Sequence, residues 1–215
     1  MSTELFVLLL GFGACLATYL IMKARFARLK REQFIRSYTF PASLLAALSK
    51  HHGNLVEKDY FLVARALREF FLIRVRTGDR LIGMPSRVVD DLWHEFILHT
   101  KDYARFCKFA FGSFFHHVPA SATAKRAEMD AALRLTWRHA CLEENINPNK
   151  ATRLPLLFAI DAKLAIAKGF HYNTRQMATT EASSSSCGGT ACSGGDSCSD
   201  GGGDGGCGGG GCGGD

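Results

Sequence analysis

The sequence has little of several features that would assign it to a familiar class of protein. No run of useful length alternates apolar and polar residues, which argues against a β-sheet. The glycines near the C-terminus follow no strand pattern and carry no lysine, so a phosphate-binding loop is excluded. None of the eight cysteines forms a Cys-x-x-Cys pair, which weakens any interpretation as a compact zinc or iron–sulfur module.

Charge is absent from residues 5–22, an uninterrupted run of 18 residues. A bilayer core needs about 17–25 apolar residues, so residues 1–22 are predicted to form an N-terminal transmembrane anchor. A cleaved signal peptide is disfavoured because no base precedes the run and no small-residue cleavage site follows it. A lipoprotein signal ending at Cys15 stays open as an alternative, although the apolar run continues beyond that cysteine.

A basic juxtamembrane segment, residues 23–40, follows with six bases and one acid. The positive-inside rule therefore predicts a single-pass protein of the inner (plasma) membrane, with its N-terminus outside and its C-terminal domain in the cytoplasm. The segment can also contact anionic lipid directly, an alternative that the sequence leaves open. A nucleic-acid partner is not expected for a segment held against a membrane.

Residues 41–177 carry helical periodicity throughout and define an all-α fold of five or six helices. The clearest stripe includes Tyr60, Val63, Leu67 and Phe70, which recur at the spacing of one helix face. Five or six helices over this length bury enough apolar surface to form a core.

The last segment, residues 178–215, differs from the rest in composition. It holds 15 of the 22 glycines, five acids and no base. A chain with so few apolar side chains cannot offset its conformational entropy, so a disordered tail is predicted. Its cysteines are candidate ligands for soft metals, although their spacing is loose. They are Cys187, Cys192, Cys198, Cys207 and Cys212.

The stretch 85–119 concentrates the groups that are able to do chemistry. Ser86 is placed to cap a helix on which Asp91 and His94 share one side. With His117 they make a candidate site for a divalent transition metal such as Zn²⁺. One zinc ion requires the two imidazole nitrogens to lie within about 7 Å of each other. The alternative is structural: the two histidines and the carboxylate satisfy one another by hydrogen bonds.

Eight residues of this stretch follow one another in a distinctive order and spacing. They are Val89, Asp91, Leu92, Trp93, His94, Tyr103, Gly112 and His117. This order resembles the glycine-rich domain-containing protein-like family. That resemblance implies an architecture, a helical domain with a glycine-rich C-terminus, rather than an activity. Members of that family often carry a second histidine two residues after the first, where this chain has Phe96.

Two functions follow as hypotheses. The first is a membrane-anchored cytoplasmic helical module that binds the bilayer and an unidentified protein partner, as a scaffold. The second is a metal-binding protein or metal-dependent enzyme that uses Asp91, His94 and His117, or a metal-handling protein that uses the cysteine-rich tail. No catalytic residue is assigned, because Cys107 has no recognisable acid–base partner in sequence.

Overall fold

A computed structural model describes residues 3–117 and 126–177 of the chain, with side chains from residue 11 onward. The described part is all-α, as predicted, and contains no strand. Its helices are α1 (Thr3–Ser37), α2 (Ala42–His51), α3 (Glu57–Thr77), α4 (Arg87–Leu98), α5 (Thr100–Ala110), α6 (Arg126–Glu143) and α7 (Leu156–Lys163), with a 3₁₀ turn at Pro148–Lys150.

The helix α1 is longer than the sequence predicts, since it runs without a break through the basic segment. The side chains of residues 11–31 are exposed, whereas Ile35 near its end is fully buried. Among the helices of the described residues, none offers an apolar stretch long enough to traverse a lipid bilayer. The predicted anchor, residues 1–22, lies partly outside the described side chains, and the predicted disordered tail, residues 178–215, lies wholly outside them.

The helix α3 is the centre of the domain and packs against α1, α4, α6 and α7. Glu57 and Asp59 lie in its first turn, where negative charge suits the helix dipole, and Asp59 accepts a hydrogen bond from the backbone nitrogen of Val56. The helix ends at Gly78, whose φ of 64° places it in the left-handed region that glycine adopts without strain. Most of its buried side chains are apolar, among them Leu67, Phe70 and Phe71, and they provide the surface on which the four helices pack.

A buried carboxylate fixes the start of α4. Ser86 accepts a hydrogen bond from the backbone nitrogen of Val89, which confirms the predicted cap. Asp161 of α7 lies beside that cap and accepts hydrogen bonds from the Ser86 hydroxyl at 2.7 Å and from the backbone nitrogens of Arg87 and Val88. Asp161 also accepts from the backbone nitrogen of Phe170 at 2.9 Å, so one side chain ties three chain segments together.

The helical periodicity of residues 41–177 shows no break after α4, but the structure divides the helix at His99. α4 ends at Leu98, His99 leaves the helical conformation with ψ at 61°, and α5 begins at Thr100. The change of direction lets α5 fold its aromatic face back onto α4: the rings of Phe96 and Tyr103 meet at 5.2 Å, and those of Phe96 and Phe106 at 5.4 Å. These contacts form part of an aromatic core that continues through α1 and α3.

Candidate functional site

A chain of hydrogen bonds joins α4, α5 and the segment that follows α5. The indole Nε1 of Trp93 donates to the Tyr103 hydroxyl at 3.1 Å, and that hydroxyl donates to the carbonyl of Phe115. Phe115 in turn stacks on the Trp93 ring at 4.9 Å. Tyr103 is fully buried, and burial raises the pKa of its phenol, so this group acts as a neutral hydrogen-bonding bridge.

Gly112 makes the turn that returns the chain to α4. Its φ is 82°, a conformation that suits glycine, and a Cβ at this position would lie 2.7 Å from the Nη2 atom of Arg31. The backbone nitrogen of Gly112 donates to the carbonyl of Cys107, which closes the end of α5. The turn is therefore set by glycine, and it delivers residues 113–117 to the face of Trp93.

His117 reaches α4 through this turn and meets two of its side chains. Its Nε2 lies 2.9 Å from Oδ1 of Asp90, and its ring centroid lies 4.3 Å from that of His94. The Nδ1 atom of His94 lies 3.7 Å from Oδ2 of Asp90. One ligand atom from each of Asp90, His94 and His117 lies within 4.8 Å of the other two, and this is the metal-competent cluster of the described residues.

The carboxylate of this cluster is Asp90, not the predicted Asp91. Asp91 points towards α2, where its Oδ2 lies 2.9 Å from Nε2 of His52, and it also pairs with Arg87. Helix spacing allows either carboxylate beside His94, and the neighbouring segments decide between them. Asp90 faces His117, whereas Asp91 is paired with His52 at the end of α2. His94 and His117 lie side by side, within the 7 Å that one zinc ion requires, and the metal site itself stays a prediction.

Two other residues named in the sequence analysis lie outside the cluster. Phe96, which stands where the resemblance to the glycine-rich domain-containing protein-like family places a second histidine, is fully buried among aromatic rings. Cys107 is also buried, and burial raises the pKa of its thiol, which suits a core residue rather than a thiolate ligand. The tail cysteines Cys187, Cys192, Cys198, Cys207 and Cys212 lie outside the described residues.

A groove of about 510 Å³ runs beside the cluster and includes Asp90 and His117 in its wall. We call it the aromatic groove, because Trp93 and four phenylalanines line it. Its charged residues include Arg74 and Arg80, and the guanidinium of Arg74 lies 4.9 Å from the centroid of the Phe115 ring. The remaining lining is mostly apolar. The phenylalanines are Phe70, Phe114, Phe115 and Phe170.

A second pocket, of about 430 Å³, lies on the opposite side of α3 and is dominated by arginine–glutamate pairs. Glu69 is its most buried acid, 7% exposed, and pairs with Arg65 at 3.1 Å. Burial raises the pKa of Glu69 to about 7, and the nearby charges of Glu144 and Glu143 add to the rise. Sequence analysis missed this group, because an acid in a helix pattern gives no sign of its burial.

These observations define the class of the protein: an all-α domain with a cluster of two histidines and one carboxylate beside an aromatic groove. The chain belongs to the UCP032817-like family, which matches residues 30–194. No curated protein and no solved structure matches the chain. Function therefore has to be argued from the geometry.

Proposed function

We propose that this chain is a metal-binding helical protein that holds one divalent transition-metal ion, such as Zn²⁺, through Asp90, His94 and His117. The observation that supports this is the convergence of three ligand atoms within 4.8 Å from two separate chain segments. In a tetrahedral zinc site with bonds near 2.0 Å, neighbouring ligand atoms lie about 3.3 Å apart. The two carboxylate oxygens of Asp90 lie on either side of that separation: Oδ1 is 2.9 Å from Nε2 of His117, and Oδ2 is 3.7 Å from Nδ1 of His94.

The residues around the cluster favour a metal ion that has a coordination position open to water or another exchangeable ligand. Three protein ligands leave a coordination position open, as in catalytic rather than structural zinc sites. The side chain of His94 is 50% exposed, while that of His117 is 15% exposed and packs its ring against Trp93 at 4.6 Å. The hydrogen bonds of Trp93 and Tyr103 hold that packing surface in place, which is the supporting role that outer groups have in metal sites. A metal ion there would activate water or polarise a bound oxygen.

Metal content tests the proposal directly. The sample is the full chain with its five tail cysteines replaced by serine, so that thiolates do not contribute. We expect one Zn²⁺ or Co²⁺ per chain after dialysis, and loss of this ion in His94→Ala, His117→Ala and Asp90→Ala. The matched control is Asp91→Ala, the neighbouring carboxylate on the same helix, which is expected to retain the ion. Circular dichroism checks that all four variants fold.

Two results would count against the proposal. One is the absence of stoichiometric metal from the folded serine-tail chain. The other is retention of the ion in all three ligand variants. Loss in Asp91→Ala with retention in Asp90→Ala would restore the ligand set expected from the sequence.

A second candidate function, a membrane-anchored interaction module, is favoured by the exposed apolar side chains of α1. Phe12, Leu20 and Ile21, which lie within the predicted anchor, are 70%, 53% and 56% exposed, and grouped exposed apolar residues mark contact with a membrane or another protein. We propose that residues 1–22, whose side chains are described only from residue 11 onward, anchor the chain in the inner membrane as a single span. The N-terminus then lies outside, the helical domain lies in the cytoplasm, and the glycine-rich tail reaches an unidentified protein partner. The resemblance to the glycine-rich domain-containing protein-like family is part of this proposal, and no nucleic-acid role is proposed.

A reporter fused behind Asp215 tests the membrane proposal. A reporter that works only in the cytoplasm should be active at this position, and the same reporter fused ahead of Met1 should be inactive. The opposite pattern would overturn the topology, and activity of both fusions in the cytoplasm would overturn the span. The metal and membrane proposals do not exclude each other, because they use different parts of the chain.

A further inference from the structure

The aromatic groove and the proposed metal site share side chains. Asp90 and His117 belong to both, and Trp93 lies between them, with its ring 4.6 Å from that of His117. A molecule bound at this part of the groove would therefore lie next to the proposed ion. The inference developed from this contact rests on the proposed function.

The groove is suited to an organic ligand rather than to water or a small ion alone. Phe70 and Trp93 form buried parts of its wall, at 1% and 4% exposure. Leu81, Phe114 and Phe170 line it as well and are 48%, 47% and 47% exposed. Exposed apolar residues grouped around one concave surface mark ligand sites, and a volume between about 300 and 1,000 Å³ is usual for such sites.

Charge narrows the class of ligand. Two arginines, Arg74 and Arg80, and three carboxylates, from Asp79, Asp90 and Glu128, line the groove. A divalent cation on Asp90 therefore changes the formal charge of the lining from one net negative to one net positive. A groove of that charge with aromatic walls is complementary to a single negative charge on an apolar body.

We infer that the aromatic groove binds an apolar, aromatic monocarboxylate whose carboxylate coordinates the ion held by Asp90, His94 and His117. The ring of the ligand packs among Trp93 and the phenylalanines, where aromatic pairs gain from tilted or stacked contacts. The carboxylate oxygens take the open coordination position, and Arg80 supplies a second cation at the groove.

Binding of phenylacetate by the cobalt-loaded chain tests the inference, measured by calorimetry and by the visible absorption of Co²⁺. The chain again carries serine in place of its tail cysteines. Two control ligands separate the contributions: acetate lacks the ring, and phenethyl alcohol lacks the charge. We expect phenylacetate to bind at least about tenfold more tightly than either and to change the cobalt spectrum. The metal-free chain should bind it at least about tenfold more weakly.

Two variants leave the metal ligands intact and test the groove itself. Met129→Trp fills the groove and should abolish phenylacetate binding, while Arg80→Gln should weaken it about tenfold, as expected for loss of one charged partner. Both variants should retain cobalt.

The outcomes separate this inference from the metal proposal. If cobalt binds at the cluster but phenylacetate binds no more tightly than acetate, the inference is wrong and the metal site stands. Phenylacetate binding that both variants leave unchanged also refutes the inference, because the ligand then lies elsewhere. Failure of cobalt to bind at the cluster would overturn both proposals together.

Discussion

Replacing Glu69 with glutamine should remove a pH dependence of folding that comes from one buried acid. Glu69 lies in α3 with 7% exposure and has Arg65 as its partner. Burial raises the pKa of its carboxyl from 4.5 to about 7 in the folded chain, whereas the unfolded chain keeps it in water. The folded state therefore holds a proton that the unfolded state releases, over the range between those two values.

The sign and size of the effect follow from this difference. As pH rises from 4.5 through about 7, unfolding releases the proton of Glu69, so the folded state loses stability. A pKa difference of one unit between the folded and unfolded states corresponds to about 1.4 kcal/mol. The rise in the pKa of Glu69 therefore destabilises the folded state by roughly 3 kcal/mol once the carboxyl is ionised in both states. Glutamine keeps the shape and the acceptor oxygen of the side chain but does not ionise. Glu69→Gln should therefore have a larger free energy of unfolding than the parent at high pH, by up to that amount.

The assay is urea unfolding of the parent and of Glu69→Gln at about pH 4 and about pH 8. The comparison must be a difference between the two proteins, because other groups titrate in the same range. His139, for example, has its pKa lowered by burial and by nearby arginines. Its contribution to the stability of the folded state is therefore lost as pH falls, opposite in sign to that of Glu69. Glu57→Gln, an exposed acid at the start of the same helix, serves as the control and should show no comparable difference. A difference between parent and Glu69→Gln that is the same at both pH values would refute the reasoning.

Three further substitutions test the structure around the cluster. Asp161→Asn should lower the free energy of unfolding in urea by about 2–4 kcal/mol, because a charged acceptor of four hydrogen bonds is lost. A change below about 0.5 kcal/mol would contradict the anchoring role of Asp161. Tyr103→Phe should weaken Co²⁺ binding about tenfold in a spectroscopic titration, because the bridge that holds the His117 side of the cluster is removed; unchanged affinity would show that the bridge does not position the ligands. Gly112→Ala should cost about 1–2 kcal/mol through its φ of 82° and the contact with the Arg31 side chain, whereas Gly53→Ala, with a nearest contact of 3.9 Å, should change the unfolding free energy by much less.

Helices were predictable here where the information is local. Ser86 was recognised as a cap because a hydroxyl before an apolar helix pattern has one common role, and the structure confirms it. The stripe of Val63, Leu67 and Phe70 likewise lies buried on α3. The break at His99 was not predictable, since neither glycine nor proline marks it. The chain turns there because Tyr103 and Phe106 bury their rings against α4, which is a tertiary gain that no local pattern shows.

The candidate site was likewise predictable only in part from the sequence. That His94 and His117 carry the chemistry was inferred from residue type, but their meeting depends on the turn at Gly112 and on the stacking of Phe115 on Trp93. The choice between Asp90 and Asp91 depends on a different helix, because His52 at the end of α2 takes Asp91 as its partner. Sequence spacing alone allows either carboxylate, although the separation of four residues between Asp90 and His94 was a usable signal. Whether the cluster binds metal stays a prediction.

The unbroken course of α1 has a mechanical consequence. A helix of 35 residues is a rod roughly 50 Å long, and it contains no proline or turn that would let it flex sharply. Its C-terminal end is fixed to the domain by Ile35, which is buried in the core, and by the ion pair between Glu32 and Arg76. The orientation of the whole domain then depends on what holds the N-terminal end of α1. One residue inserted into α1 would rotate the aromatic groove by about 100° around the helix axis relative to that end.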